Sequence, residues 1–215
     1  KLIKVVASTT LVGDVVKQIG GDRISLTILY PVGADPHTFE PRPQDAAAIS
    51  DAQIIFLNGL GLEHALESLI SSNASGTVVE VSNGAEVIPF NEPESDNGEG
   101  EVHDHSEGDP HTWMDPNRVM VWVTNITSAL STADPDNEEY YAANAKAYQA
   151  ELTDLDQWIQ SQVSVIPQEN RKLVTDHENL GYFVDRYDFT LVGLVVDSLS
   201  TGASPSAEQL SKLEN

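Results

Sequence analysis

The feature that most constrains the fold is an alternation of short apolar runs, rich in β-branched residues, with stretches of helical periodicity. Along the first part of the chain it predicts strands and helices in turn, at 2–9, 10–20, 24–30, 44–51, 53–58, 62–72 and 77–82. Such alternation is typical of a parallel, doubly wound sheet covered by helices. We therefore predict an α/β lobe that binds ligands at the carboxyl edge of its strands.

A second constraint is one long amphipathic helix, predicted from Asn137 to about Val165. No glycine or proline interrupts it, and its apolar residues recur at helical intervals, at Tyr141, Ala145, Tyr148, Leu152, Leu155 and Ile159. At 1.5 Å per residue this helix is about 40 Å long, which exceeds one small lobe. We interpret it as a rigid strut between two lobes.

After Pro167 the alternation resumes, with strands predicted at 172–176 and 190–196, a helix at 180–187 and a helix start near the last residues. Two strands and an unfinished third unit cannot bury both faces of a sheet, so we expect this second lobe to be truncated. The predicted fold is thus two Rossmann-like lobes, each a parallel sheet flanked by helices, joined by one long rigid helix. The predicted bounds are 1–134, 135–166 and 167–215.

Residues 83–110 interrupt the pattern. They are acidic, rich in glycine and proline and poor in apolar side chains, which predicts a mobile loop. Order is expected to return at DPHTWMDP, where Asp115 and Pro116 supply an N-cap and a first-turn proline for a helix to about Leu130.

Composition narrows the function. The chain has no cysteine, so a transition-metal site must use histidine and carboxylate ligands. Its 34 acidic and 11 basic side chains give a formal charge of −23, which argues against nucleic-acid binding. A negative surface concentrates cations, but solubility or a salt-rich habitat is the favoured explanation for the bulk of the charge. Apolar runs are too short to cross a bilayer, and the strand-like start is compatible with a mature exported protein.

Two histidines share an unusual local frame. His37 and His111 both lie in the pentapeptide Asp-Pro-His-Thr-aromatic, and His177 follows directly after a predicted strand. Three neutral imidazoles suit Zn²⁺, with Ni²⁺ and Cu²⁺ as further options. A surface or purely structural role is the competing interpretation for any single loop histidine. His64 lies on a predicted helix, where a solvated face is the simpler role.

Several long motifs carry a family resemblance. They occur in order along nearly the whole chain, as GADPHTFEP, NGLGLE, DPHTWMDP, DPDNEEYYAANAKAYQAEL and NRKLVTDHENLGYFVDRY. With these motifs the chain resembles the zinc/manganese-type periplasmic solute-binding proteins of metal ABC importers. The resemblance implies a receptor that captures a divalent metal ion and delivers it to a membrane permease. It also implies a periplasmic protein, or one anchored by lipid on the outer side of the cytoplasmic membrane, and we expect a monomer.

The resemblance places three metal ligands on His37, His111 and His177. The third position is typically glutamate in manganese-type members and histidine in zinc-type members, so Zn²⁺ is favoured and Mn²⁺ is the alternative. The family's fourth ligand is an acid that would lie beyond Asn215. His103 and His105, in the acidic loop, resemble the metal-gathering histidines of zinc receptors.

Four acids are candidate partners for the distal ring nitrogens of these histidines, with helix capping as the alternative role: Glu40, Asp115, Asp176 and Glu178. Two other function classes stay open. A three-histidine zinc with an open position is also the arrangement of hydrolytic enzymes, but no HExxH or Gly-x-Ser-x-Gly motif is present. An adhesin-like surface protein is the other class, because relatives have been described that way.

Overall fold

The structure is a computed structural model that describes residues 2–36, 39–89 and 108–195. Its larger sheet is parallel, with strand order β2-β1-β3-β4. These strands are β1 (Ile3–Ala7), β2 (Ile24–Ile28), β3 (Ile54–Leu57) and β4 (Thr77–Glu80). A second parallel pair is formed by β5 (Lys172–Thr175) and β6 (Thr190–Leu194). The predicted alternation of strands and helices is confirmed.

In the part of the chain that the structure describes, six α-helices connect and flank these strands. They are α1 (Thr10–Gly20), α2 (Pro43–Asp51), α3 (His64–Asn73), α4 (Pro116–Ala133), α5 (Glu138–Ser164) and α6 (Gly181–Tyr187). Within the described ranges, none of them has the combined length and apolarity of a membrane span.

Capping explains where α1 begins and ends and where α4 begins. The hydroxyl of Thr9 accepts a hydrogen bond from the Val12 amide at 3.1 Å and starts α1. Gly21 ends α1 with a φ of 55°, a left-handed conformation that glycine adopts without strain. At α4 the Asp115 carboxylate accepts from the Asn117 amide at 2.9 Å, ahead of Pro116 in the first turn. The predicted start of α4 is therefore confirmed.

The core lies on both faces of the larger sheet. On one face, α1, α4 and α5 bury a cluster whose largest members are Trp122, Tyr141 and Phe56. On the other face, α2 and α3 bury a second cluster that includes Ile49, Leu66 and Ile70 against Ile55. Since helices cover both faces, strand β3 is apolar throughout and fully buried. The α/β fold class is confirmed.

Helix α5 runs without interruption for 27 residues, which corresponds to about 40 Å. Its first half packs in the core with Tyr141 and Ala145, and Asn144 donates to the Ile19 carbonyl at 3.0 Å. Its second half reaches α6 through Asp156. The long helix is therefore as predicted, while the lobe bounds at 134 and 166 stay a prediction.

Asp156, a buried carboxylate, joins α5 to α6 by a polar network. Its carboxylate accepts from Arg186 Nη2 at 2.5 Å, from Arg186 Nε at 3.0 Å and from the Tyr187 hydroxyl at 3.0 Å. The Arg186 hydrogen bond is the main reason that the pKa of Asp156 lies below its usual value, since it outweighs the opposing effect of burial. Ionised Asp156 therefore stabilises the folded chain.

Replacing this carboxylate tests the network. Because the folded-state pKa is lowered, the stabilisation is complete above the ordinary aspartate pKa and disappears as pH falls through the folded value. We expect Asp156→Asn to lower the free energy of unfolding by about 2 kcal/mol at neutral pH, and the deficit to shrink in acid. Urea unfolding at several pH values measures it. Asp154→Asn, an exposed neighbour on α5, is the matched control. An Asp156→Asn chain as stable as that control at neutral pH contradicts the assignment.

Candidate metal centre

The segment from Gly108 to Asp115, named here the His111 loop, lies against the carboxyl edge of the larger sheet. Asn58, directly after β3, donates from Nδ2 to the Pro110 carbonyl at 3.0 Å. Ser82, shortly after β4, shares a hydrogen bond of 3.0 Å with the Thr112 hydroxyl. The Trp122 indole of α4 donates to both hydroxyls, at 3.0 and 3.2 Å. The loop is therefore fixed by two strand ends and one helix.

A buried carboxylate links the strand ends that lie next to this loop. Glu63 accepts hydrogen bonds from the Ser8 hydroxyl at 2.6 Å and from the amides of Asn58 and Gly59 at 2.7 and 3.1 Å. Ser8 follows β1 and Asn58 follows β3, so Glu63 joins two strand ends. Burial raises the pKa of Glu63 to about 7, although these hydrogen bonds act in the opposite direction.

His111 is 2% exposed, and Asp109 determines which of its ring nitrogens carries the proton. Asp109 Oδ1 lies 2.7 Å from His111 Nδ1 and also accepts from the His111 amide at 2.8 Å. Since a carboxylate accepts, we assign the proton to Nδ1 and the lone pair to Nε2. A carboxylate on the distal nitrogen is the usual way to orient a histidine that binds metal.

His177 lies beside His111. It follows β5, is 8% exposed, and its carbonyl accepts a hydrogen bond from the Thr175 hydroxyl. The ring centroids of His111 and His177 are 5.6 Å apart. Zinc–nitrogen bonds of about 2.0–2.1 Å place two imidazole centroids about 5 Å apart around a tetrahedral ion. The two rings thus have a separation that one metal ion can bridge with little movement.

The structure does not place the other predicted ligands beside His111 and His177. His37, His103 and His105 lie outside the ranges that the structure describes. Within those ranges, no group of three or more histidine or acidic side chains is arranged to hold an ion. His64 is exposed, and its Nδ1 lies 3.2 Å from Glu67 on the same helix, in keeping with the simpler role predicted for it.

The predicted partner acids fall into different places. Asp176 Oδ1 lies 3.1 Å from His177 Nδ1 and accepts from the His177 amide at 3.0 Å. Burial acts to raise the pKa of Asp176, but the hydrogen bonds from His177 and its electrostatic interaction with that residue leave the pKa below its usual value. Asp115 has the alternative role, because it caps α4 and pairs with Arg118. Glu178 is half-buried and Glu40 is exposed; the role predicted for these two stays a prediction.

Sequence reasoning missed Asp109, Asn58 and Glu63. The signal for Asp109 was available, because an aspartate precedes proline and histidine in both copies of the repeated frame. Asn58 and Glu63 are the first and last residues of the NGLGLE motif, but their link to His111 depends on contacts between distant segments.

Known metal-binding proteins resemble this chain over most of its length. The model of a family described as periplasmic zinc-uptake complex component A, ZnuA, matches residues 5–215. The manganese-binding lipoprotein MntA of Halalkalibacterium halodurans is 40% identical over 193 residues, which are 89% of this chain and 60% of that protein. The manganese ABC transporter substrate-binding lipoprotein PsaA of Streptococcus pneumoniae is 34% identical over 192 residues, or 86% of this chain and 59% of that protein.

Solved structures agree in fold. A crystal structure of ZnuA superposes with a TM-score of 0.81 at 28% identity, covering 99% of this chain and 76% of that one. A Mn-bound periplasmic metal-binding protein from Candidatus Liberibacter asiaticus gives 0.75 at 28% identity, covering 87% and 66%. The chain thus spans about three fifths of the length of the curated relatives it matches.

Removing the buried charge at Glu63 gives a pH test. Its pKa rises from 4.5 to about 7 on folding, so the stability contributed by the protonated form is present below pH 4.5 and disappears as pH rises through 7. We expect the free energy of unfolding of Glu63→Gln, relative to that of the wild type, to increase by about 2–3 kcal/mol between about pH 5 and pH 8. Denaturant unfolding of the metal-free chains measures this difference.

Glu139→Gln is the control, since Glu139 is an exposed glutamate on α5. Its difference from the wild type is expected to be constant over that pH range. A Glu63→Gln difference that is equally constant contradicts the raised pKa.

Proposed function

This chain belongs to the periplasmic zinc-uptake complex component A family, and on that premise we propose that it is the metal receptor of an ABC importer. In this role it captures a divalent transition-metal ion outside the cytoplasmic membrane and delivers it to a membrane permease. The names of the relatives as substrate-binding lipoproteins support this role and a position in the periplasm or on a lipid anchor. We expect the receptor to be a monomer.

The observation that carries the proposal is the pairing of His111 and His177. The two residues are 66 positions apart, yet their rings lie 5.6 Å apart in a place that excludes most solvent. One ring lies on the edge of the larger sheet and the other follows β5, so a bound ion links both parts of the fold. His37, predicted from the repeated frame, is the proposed third ligand.

We propose Zn²⁺ as the ion, with Mn²⁺ as the alternative. Neutral imidazole suits zinc, whereas manganese prefers carboxylate, carbonyl and water oxygens. The relatives named above for manganese keep the alternative open. Their identities of 40% and 34% leave room for a different ion preference.

A receptor fits the site better than a three-histidine zinc enzyme. A hydrolytic zinc needs an open position for water and space for a substrate beside it. His111 and His177 are almost closed to solvent in the described part of the chain. An enclosed pair suits the capture and release of a bare ion.

Single substitutions test the ligand set. We expect His37→Ala, His111→Ala and His177→Ala each to weaken zinc binding by more than the roughly 10–100-fold that loss of an outer partner costs. Competition titration with a chromophoric chelator measures the affinity, and metal analysis measures the stoichiometry. His64→Ala, on an exposed helix position, is the control and is expected to bind as the wild type does. Unchanged affinity in all three variants overturns the site.

A second substitution tests the choice of ion. We expect the wild type to bind Zn²⁺ more tightly than Mn²⁺, and His177→Glu to lower the ratio of the two affinities because a carboxylate oxygen suits manganese. Parallel titrations with both metals give the ratio. A wild type that prefers Mn²⁺, or a ratio that does not change in His177→Glu, contradicts the proposed zinc preference.

A further inference from the structure

Tyr182 connects the segment of His177 to the His111 loop. It lies in the first turn of α6, shortly after His177, and is completely buried. Its hydroxyl donates to the Asp109 carbonyl at 2.5 Å, and the Ile88 amide donates to the same hydroxyl at 3.4 Å. The residue whose side chain orients His111 is thus held by a residue from the other half of the site.

Gly181 allows this contact to be close. A Cβ atom built on Gly181 would lie 2.8 Å from Asp109 Oδ2, which is nearer than such atoms approach in practice. The other carboxylate oxygen, Oδ1, is the one that contacts His111 Nδ1. The start of α6 therefore packs directly on the carboxylate that holds the imidazole, and a larger side chain at Gly181 would displace it.

Arg118 contacts the ring of Tyr182. Its guanidinium lies 4.6 Å from the centre of the Tyr182 ring, a cation–π contact. The same guanidinium pairs with Asp115 and donates from Nε to the Glu86 carbonyl at 2.9 Å. Since Arg118 belongs to α4, the tyrosine is fixed between the His111 loop and the helix that follows it.

We propose that Gly181 and Tyr182 are positioning residues for metal capture. They do not touch the ion. They hold α6 against Asp109, and Asp109 in turn fixes the position of the His111 ring relative to the His177 ring. The inference rests on the proposed function, because it concerns the affinity of the same site. The two rings hold this relative position before the metal binds, so metal binding does not have to bear the entropic cost of fixing them.

The decisive variant is Tyr182→Phe, with Tyr187→Phe as its matched control. Both tyrosines are buried on α6, and the Tyr187 hydroxyl donates to Asp156 at 3.0 Å, away from the His111 loop. We expect Tyr182→Phe to weaken zinc binding by about 10-fold or more. Tyr187→Phe is expected to change the zinc affinity by less than about twofold. The two variants are expected to lower the stability of the metal-free chain by similar amounts.

Gly181→Ala provides a second variant that does not weaken helix formation, because alanine is the better helix former. We expect weaker zinc binding at unchanged stoichiometry. Cobalt(II) serves as a spectroscopic probe in all variants. Its visible absorption bands at saturating metal are expected to shift in Tyr182→Phe and Gly181→Ala and to stay unchanged in Tyr187→Phe, since they report the geometry of the bound imidazoles.

The outcomes separate the two claims. A wild-type chain that binds neither zinc nor manganese overturns the proposed function, and this inference with it. A wild type that binds zinc, with Tyr182→Phe binding as tightly as Tyr187→Phe, overturns the positioning role alone. Weaker binding in both α6 variants near Asp109, with altered cobalt bands, supports the role.

Discussion

The hydrogen bond between Asp109 and His111 is the interaction on which the site depends. Both side chains are nearly closed to solvent, and their contact of 2.7 Å satisfies a carboxylate that would be costly to bury alone. It also leaves the lone pair on Nε2 of His111, the nitrogen that we propose binds the metal. The surrounding contacts make this bond possible, because Asn58 holds Pro110, Thr112 is tied to Ser82, and α6 packs on Asp109.

The fold supplies these contacts at one edge. Ser8, Asn58 and Ser82 follow the carboxyl ends of three neighbouring parallel strands, the edge where open α/β sheets bind ligands. Glu63 joins the first two of these strand ends. The polar groups thus lie at the ends of rigid strands, and this keeps the buried histidine rings in fixed positions. The long helix α5 then connects this edge to the segment of His177 through Asp156.

Local patterns predicted much of this structure. The alternation of apolar runs indicated the parallel sheet, the Asp115–Pro116 pair indicated the start of α4, and the uninterrupted periodicity indicated α5. His111 and His177 were selected from their motifs, and the structure places them side by side. The contact of Tyr182 with Asp109 joins residues 73 positions apart. No local pattern encodes such a contact, since it depends on how α6 packs after the chain has folded.

The central claim is that imidazole nitrogens from distant segments share one metal ion. X-ray absorption at the zinc edge of the loaded chain tests it most directly. The account predicts a shell at about 2.0–2.1 Å with the multiple-scattering signature of three imidazoles, reduced by one imidazole in His111→Ala. An oxygen shell without that signature, or a spectrum that His111→Ala leaves unchanged, contradicts the account.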